Sequence, residues 1–168
     1  MKYELSICII TYNRGIRALE NVENLLNNIK GTWCVLVLDN HSKIGKEHYK
    51  EIKNLSKSNK QLFYKRHDKN LQFYGNFRAC FTYAKSKYIL VLSDEDFINT
   101  ENLEKLLIDI NQSKNLVACR PSIAPCKDLK IQGNSTTYSD NLFKAGEDAI
   151  LNFSFLGNYI SGIIYNLK

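Results

Sequence analysis

The sequence predicts an α/β domain built on an open, mostly parallel sheet flanked by helices. Two observations carry that reading. Short, continuously apolar, β-branched runs recur along the chain, as strands buried on both faces of a parallel sheet do. Between them lie longer stretches whose apolar residues repeat at intervals of three and four, the spacing of one helical face. Strands alternating with helices in this way build βαβ units. The chain has 168 residues, 44% of them hydrophobic. That suffices for one domain whose core needs neither a disulfide nor a structural metal.

The first run is Leu5–Tyr12, LSICIITY. Ile16, Leu19, Val22, Leu25, Leu26 and Ile29 then form a helical stripe, which Gly31 is expected to close. Cys34–Leu38 (CVLVL) is a second buried strand, and Tyr49, Ile52 and Leu55 mark a more solvated helix. Leu62–Arg66 is a third strand, nearer an edge. Phe73, Phe77, Cys80, Phe81 and Ala84 make the next stripe, followed by Tyr88–Leu92 (YILVL) as the fourth strand. Thr100 is expected to cap a helix that carries Glu101 in its first turn and buries Leu103, Leu106, Leu107 and Ile110. Leu116–Cys119 is a fifth strand, stopped by Pro121. Residues 1–120 thus form the core. Within the same domain, 121–138 read as an irregular excursion, Asn141–Phe155 as a helix and Tyr159–Tyr165 as a last strand.

The 23 basic and 17 acidic residues leave a net charge of +6. That balance suits an anionic ligand or an anionic membrane face, and equally a plain Lys-rich surface. No arginine-rich block and no ring-bearing motif of single-strand binders appears, so a nucleic-acid partner is not expected. The five cysteines are odd in number, lack a Cys-x-x-Cys pair, and place Cys8, Cys34 and Cys119 inside apolar runs. Reduced thiols in a cytoplasmic setting follow. Lys2 and Glu4 precede only a short apolar run, so no signal peptide is expected, and no stretch approaches the ~20 apolar residues of a spanning helix.

In an open parallel sheet, ligands bind beyond the carboxyl ends of the strands. Three of those ends carry polar clusters: Thr11-Tyr12-Asn13-Arg14, Asp39-Asn40-His41-Ser42 and Ser93-Asp94-Glu95-Asp96. The acidic triplet is the strongest. Packed carboxylates repel one another unless a cation sits among them, and Mg²⁺ or Mn²⁺ takes one or two carboxylates plus phosphate oxygens. An acidic helix start leading to Thr100 is the plainer alternative. Asp39 reads equally as an Asx turn leaving its strand. Thr11–Arg14 can hydrogen-bond a nucleotide, with Arg14 on a phosphate, or be an ordinary strand-to-helix turn. His41, His48 and His67 lack metal-ligand spacing and read as structural or surface groups. The absence of a P-loop, a Gly-x-Gly-x-x-Gly and a Gly-x-Ser-x-Gly weakens kinase, dinucleotide-binding and hydrolase readings.

Taken together, ICIITYNR, VLVLDNHS and NLQFYGNFRACFTYAKSKYILVLSDED, in this order over about residues 3–120, resemble the nucleotide-sugar glycosyltransferases of family two, which have the GT-A fold. The resemblance implies a nucleotide site made by Thr11, Tyr12, Asn13 and Arg14, with Asp39 on the base and Asn76 and Asp94 in the same pocket. It implies a divalent ion, Mn²⁺ or Mg²⁺, held on the diphosphate by Asp94 and Asp96. The segment NYISGIIYN, with Ser161 and Gly162, resembles the part of such enzymes that faces the acceptor. The implied reaction is an inverting, metal-dependent transfer from a nucleotide-sugar donor, a UDP-sugar first among them, to a hydroxyl of a glycan or lipid-linked acceptor. The implied setting is bacterial cell-surface polysaccharide synthesis in the cytoplasm, with peripheral association at the inner membrane face. The general base is expected after the acceptor-side segment, beyond Lys168, and Glu147 and Asp148 read as exposed helix charges. A nucleotide-binding module without turnover is the reading of a different class that this leaves. A receiver-like domain would need an acidic pair where Thr11-Tyr12-Asn13 stands, and a nucleotidyltransferase would need a Gly-rich basic loop after the first strand.

Overall fold

The computed structural model describes residues 2–113, 116–127, 130, 131, 133 and 161–167. In chain order the elements are β1 (Tyr3–Thr11), α1 (Gly15–Asn28), β2 (Trp33–Asp39), α2 (Lys46–Ser58), β3 (Leu62–Arg66), α3 (Gln72–Tyr83), β4 (Ser86–Ser93), α4 (Thr100–Gln112), β5 (Ala118–Cys119), β6 (Cys126–Lys127), β7 (Lys130–Ile131) and β8 (Ile164–Asn166). The expected helix over Asn141–Phe155 lies outside the described residues, as do Tyr159 and Ile160.

The apolar runs become strands because both of their faces are covered. Leu5, Ile7 and Ile9 of β1 point into one core with Val35 and Val37 of β2 and Leu90 and Leu92 of β4, beneath α1, α2 and α4. The alternate residues Cys8, Leu36, Leu38, Ile89 and Val91 face a second core beneath α3. The main sheet has the order β3-β2-β1-β4-β8-β5. The first four strands run parallel, as expected, whereas β8 runs antiparallel to both β4 and β5. The sheet therefore extends past residue 120: a short C-terminal strand fits between β4 and the strand that ends before Pro121.

Several local expectations change. Ala18, Leu19, Val22 and Leu25 of α1 are buried, but Ile16 is 53% exposed. The buried face includes Gly15, and at 3.6 residues per turn the next residue lies about 100° around the helix from it. Gly31 does not close α1. The helix ends at Asn28, and extended Ile29 donates its N–H to the Leu25 carbonyl. Asn99 rather than Thr100 caps α4, its side chain accepting from the Asn102 N–H at 2.8 Å. In α3 the buried residues are Asn76, Ala79 and Cys80. The Phe73, Phe77 and Phe81 rings instead pack on one another along the flank, and Phe77 and Phe81 also meet Tyr165 of β8.

Helices α1 and α2 pack side by side, and Gly15 sets how closely. A Cβ on Gly15 would lie 2.5 Å from the carbonyl oxygen of Gly45, a backbone atom that has no rotamer to escape into. Gly31 has nothing within 4 Å of such a Cβ. Overpacking of this kind costs roughly 1–3 kcal/mol, whereas open surface positions stay within about 0.5 kcal/mol. Urea denaturation should accordingly show Gly15→Ala destabilised by about that larger amount and Gly31→Ala nearly unchanged. Equal midpoints for the two variants would refute the close-contact account.

Candidate functional site

Strand register brings the polar ends together. Thr11 pairs with Asp39, Asp39 with Arg66, and Ile10 with Ser93. From β1 the chain winds outward to β2 and β3, then returns to place β4 on the other side of β1. Connections leave the sheet in opposite senses at that point, and a crevice opens between the carboxyl ends. A cleft of about 660 Å³ lies there, within the roughly 300–1,000 Å³ of small-molecule sites. Of the residues predicted for the site, Thr11, Tyr12, Arg14, Asn76, Asp94 and Asp96 line it.

Asn13 and Asp39 do not line the cleft. Asp39 has no exposed surface. Its Oδ1 accepts from the Ser42 N–H at 2.7 Å, and its Oδ2 accepts from the Tyr64 hydroxyl at 2.8 Å with Arg66 Nε 3.2 Å away. In this arrangement the carboxylate is enclosed by the loop after β2 and by β3, next to Asn40 of the cleft lining. Burial, together with that hydrogen bond to Asp39, pushes the Tyr64 phenol well above its usual pKa. Asn13 adopts a left-handed φ of 59°. Its Oδ1 accepts from the N–H groups of Lys43 and Ile44, and its own N–H donates to Ser42 Oγ. Both residues thus build the loops that carry the cleft.

Tyr49 of α2 joins that framework. Its buried hydroxyl is 2.8 Å from Thr11 Oγ1 and accepts from the Arg14 N–H at 3.1 Å. Removal from water raises its pKa. Sequence reasoning placed Tyr49 only on a helical face; its role at the site is a long-range contact with no local signal.

The acidic segment is held from below. Asn21 of α1, fully buried, donates through Nδ2 to the backbone carbonyls of Asp96 (2.7 Å) and Asp94 (3.4 Å). Asn21 Oδ1 has no hydrogen-bond partner among the described residues. Ser161 Oγ accepts from the Ser93 N–H at 3.0 Å, so the segment resembling an acceptor-facing part reaches the same cleft. Asp94 is buried, and Arg14 Nη1 lies 3.2 Å from its Oδ1 and also pairs with the Glu95 carboxylate.

An amide-rich group was not predicted as a set. Asn40, Asn70 and Gln72 line the cleft beside Phe73, which is 48% exposed rather than part of the core. Asn40 Nδ2 donates to Asn70 Oδ1 and to the Gln72 carbonyl, while its Oδ1 accepts from the Leu71 N–H. Asn76 is braced from behind, its Nδ2 donating to the Leu38 carbonyl and its Oδ1 accepting from His67 Nε2 at 2.9 Å. His67 and His41 are structural, as expected, the latter bonding the His67 carbonyl through Nδ1. Asn40 stands in the VLVLDNHS string and Asn70, Gln72 and Phe73 in NLQFYGNF; of the last three, the helical stripe marks Phe73 alone.

Among the described residues no group of three or more His, Cys, Asp or Glu side chains gathers as a metal cage. A hard divalent ion on a diphosphate needs less: one or two carboxylates, the remaining ligands being phosphate and water oxygens. Asp94 fits that requirement. Its Oδ1 is met by a cation from across the cleft, its side chain lies on the cleft lining, and its backbone is pinned by Asn21.

A mostly parallel sheet with its cleft at the β1/β4 crossing, flanked by an acidic segment, is an architecture this domain shares with glycosyltransferases of the GT-A fold. A sequence profile of glycosyl transferase family 2 matches residues 6–165, and the chain belongs to that family. Structures of the same fold include a mannosyltransferase from Pyrobaculum calidifontis in complex with GDP-Man and Mn²⁺, at TM-score 0.60 and 10% identity over 74% of this chain and 36% of that one. They also include S. aureus TarS 1–349, at TM-score 0.63 and 17% identity over 98% and 47%. The same TarS fragment in complex with UDP aligns at TM-score 0.54 and 19% identity over 65% and 32%. The chain thus spans roughly a third to a half of the length of these structures. No curated protein sequence matches it.

The Tyr64 contact has a pH consequence. A phenol whose folded pKa is raised stabilises the fold fully below the unfolded tyrosine value of about 10, and that stability is lost as pH rises above it. Urea midpoints should therefore fall above about pH 10, less steeply in Tyr64→Phe. At neutral pH the same variant should be less stable by roughly 1.5–3 kcal/mol, the usual worth of a hydrogen bond to a charged group. A Tyr64→Phe protein with wild-type stability and an unchanged alkaline limb would show that the contact is not formed.

Proposed function

We propose that this domain binds a nucleoside-diphosphate sugar in the β1/β4 cleft and transfers the sugar to an acceptor hydroxyl with inversion. The observation that carries the reading is the convergence of Thr11, Arg14 and Asp94 at the crossing point of the sheet. A UDP-sugar is the first donor to test, and a glycan or lipid-linked acceptor in cell-surface polysaccharide synthesis is the matching second substrate. The complex between UDP and a protein of the same fold supports the donor class.

The chain's own residues suit the parts of that reaction. Tyr12 offers a ring that is 42% exposed at the cleft, a surface for a nucleoside. Thr11 supplies a hydroxyl oriented by Tyr49. Arg14 carries the planar guanidinium that pairs with phosphate oxygens. Asn40 and Asn76 present amides whose orientation the surrounding hydrogen bonds already dictate. Asp39, expected on the base, is held by Ser42, Tyr64 and Arg66, and through them it also positions the loop after β2. Asp94, with Asp96, would hold a divalent ion, Mn²⁺ or Mg²⁺, which when bound neutralises the charge of the departing diphosphate. The presence of Mn²⁺ in a structure of the same fold supports that cofactor.

The setting we propose is the cytoplasmic face of a membrane. The net charge of +6 suits an anionic headgroup layer, and no helix among the described residues is long and apolar enough to cross a bilayer.

Calorimetry with UDP, GDP, CDP and dTDP in the presence of Mn²⁺ tests the binding step. One of the four should bind, and Asp94→Asn should weaken it by at least about tenfold, the 1.4 kcal/mol expected for losing one charged contact, with circular dichroism unchanged. Heat from none of them would sink the reading. Binding without any sugar transfer to an acceptor would favour the module without turnover.

A further inference from the structure

The cation facing the acidic segment is part of the chain. Arg14 ends the turn between β1 and α1, and its N–H is held by the Tyr49 hydroxyl. Its guanidinium crosses to Asp94 Oδ1 at 3.2 Å and to the carboxylate of Glu95. The exposures of the three side chains differ: Asp94 is 4% exposed, Arg14 50% and Glu95 60%. A nearly buried carboxylate requires a counter-charge, and among the described residues Arg14 supplies it. The acidic segment is itself fixed by Asn21 beneath the Asp94 and Asp96 carbonyls. In the Arg14–Asp94 pair, Arg14 is half exposed and carries the long flexible stem, so it is the partner able to move.

A divalent ion approaching Asp94 therefore meets oxygens that already have a resident positive charge. It must either displace the guanidinium or tolerate a like charge within a few ångströms. Once displaced, the guanidinium remains over the same cleft, beside the place where a diphosphate would bring two fresh sets of oxygens. Its planar fork suits them better than an ammonium would.

We propose that Arg14 is an internal counter-ion that competes with the divalent ion for Asp94 and Glu95 and passes to the donor diphosphate when the ion binds. The inference rests on the donor-site reading above and deepens it. Metal alone binds weakly, because it must evict Arg14 with nothing to receive it. Metal with nucleotide binds well, because the diphosphate receives the guanidinium. The two ligands are then positively coupled, and by linkage each raises the other's affinity by the same factor.

The test follows free Mn²⁺ by electron paramagnetic resonance during titration of wild type, Arg14→Ala and Arg14→Lys, with and without UDP, and needs no turnover. Removing one opposing charge at a half-exposed position should tighten binding of Mn²⁺ alone by about fivefold in Arg14→Ala. The same variant should show less enhancement of Mn²⁺ affinity by UDP than wild type. Arg14→Lys keeps the charge, so its affinity for Mn²⁺ alone should stay near wild type, which separates charge competition from a general loosening of the turn. Mn²⁺ affinity in Arg14→Ala equal to or weaker than wild type, with thermal unfolding unchanged, overturns the competition. If Arg14→Ala tightens Mn²⁺ but no nucleoside diphosphate binds any of the three proteins, the competition stands, and both the passage to diphosphate and the donor-site reading fail.

Discussion

A carboxylate with no exposed surface, Asp39 at the end of β2, organises one side of the cleft. Leaving such a charge unpaired in a protein interior costs several kcal/mol, so its surroundings must supply donors. They come from two directions: the Ser42 N–H just beyond β2, and Tyr64 and Arg66 from β3. The consequences run outward. Arg66 also donates to the Ser42 carbonyl, and Ser42 Oγ receives the Asn13 N–H. Asn13 in turn binds the backbone of Lys43 and Ile44. The turn after β1 is thereby tied to the loop after β2, and Gly45 of that loop is where α2 begins against Gly15 of α1. Tyr49, one turn into α2, then orients Thr11 and the Arg14 backbone. Two cleft residues owe their positions to a carboxylate that lies outside the cleft.

The other side is built on the same plan with different groups. Buried Asn21 holds the acidic segment by its carbonyls, and Ser161 holds it by the Ser93 N–H. Asn76 is clamped between His67 and the end of β2. In each case a buried polar group satisfies backbone or side-chain partners and leaves a more exposed neighbour to meet a ligand: Tyr12 and Arg14 on one side, Glu95 and Phe73 on the other. A site whose supporting groups are locked by packing and hydrogen bonds holds its geometry before a ligand arrives.

Three of the four parallel strands were legible because a strand covered on both faces must be apolar at nearly every position, as CVLVL and YILVL are, whereas the edge strand β3 (LFYKR) showed only an alternating pattern. The polar strand ends were legible because nothing in a buried core explains hydroxyls, amides and carboxylates directly after such runs. Orientation was not. An aspartate after an apolar run gives no sign of its partners, and Tyr64 and Arg66, which hold the Asp39 carboxylate, lie more than twenty residues away. The position of β8 was hidden for a related reason. Three residues carry too little periodicity to show direction, and their place between β4 and β5 is decided by pairing across the sheet. Phe73 looked like core because its spacing matches Phe77 and Phe81, whereas ring-on-ring packing lets that stripe lie along the flank of α3.

Backbone strain points to where the constraint originates. Among the described residues three other than glycine have a positive φ: Asn13 at 59°, His41 at 64° and Gln72 at 59°. Each such conformation costs about 1–3 kcal/mol unless the residue is well suited to it, and persists only where its surroundings over-determine it. The surroundings do so in all three cases. Asn13 is held by Ser42, Lys43 and Ile44, His41 by the carbonyls of Asp39 and His67, and Gln72 by Asn70 and Asn40. All three lie at or beside the carboxyl ends of the parallel strands or at the start of α3, and none lies within a strand. Asn and His enter this region more readily than most residues, so the cost falls chiefly on Gln72, whose backbone Asn70 and Asn40 fix at the cleft lining. That cost sits at the cleft and not within the packed strands.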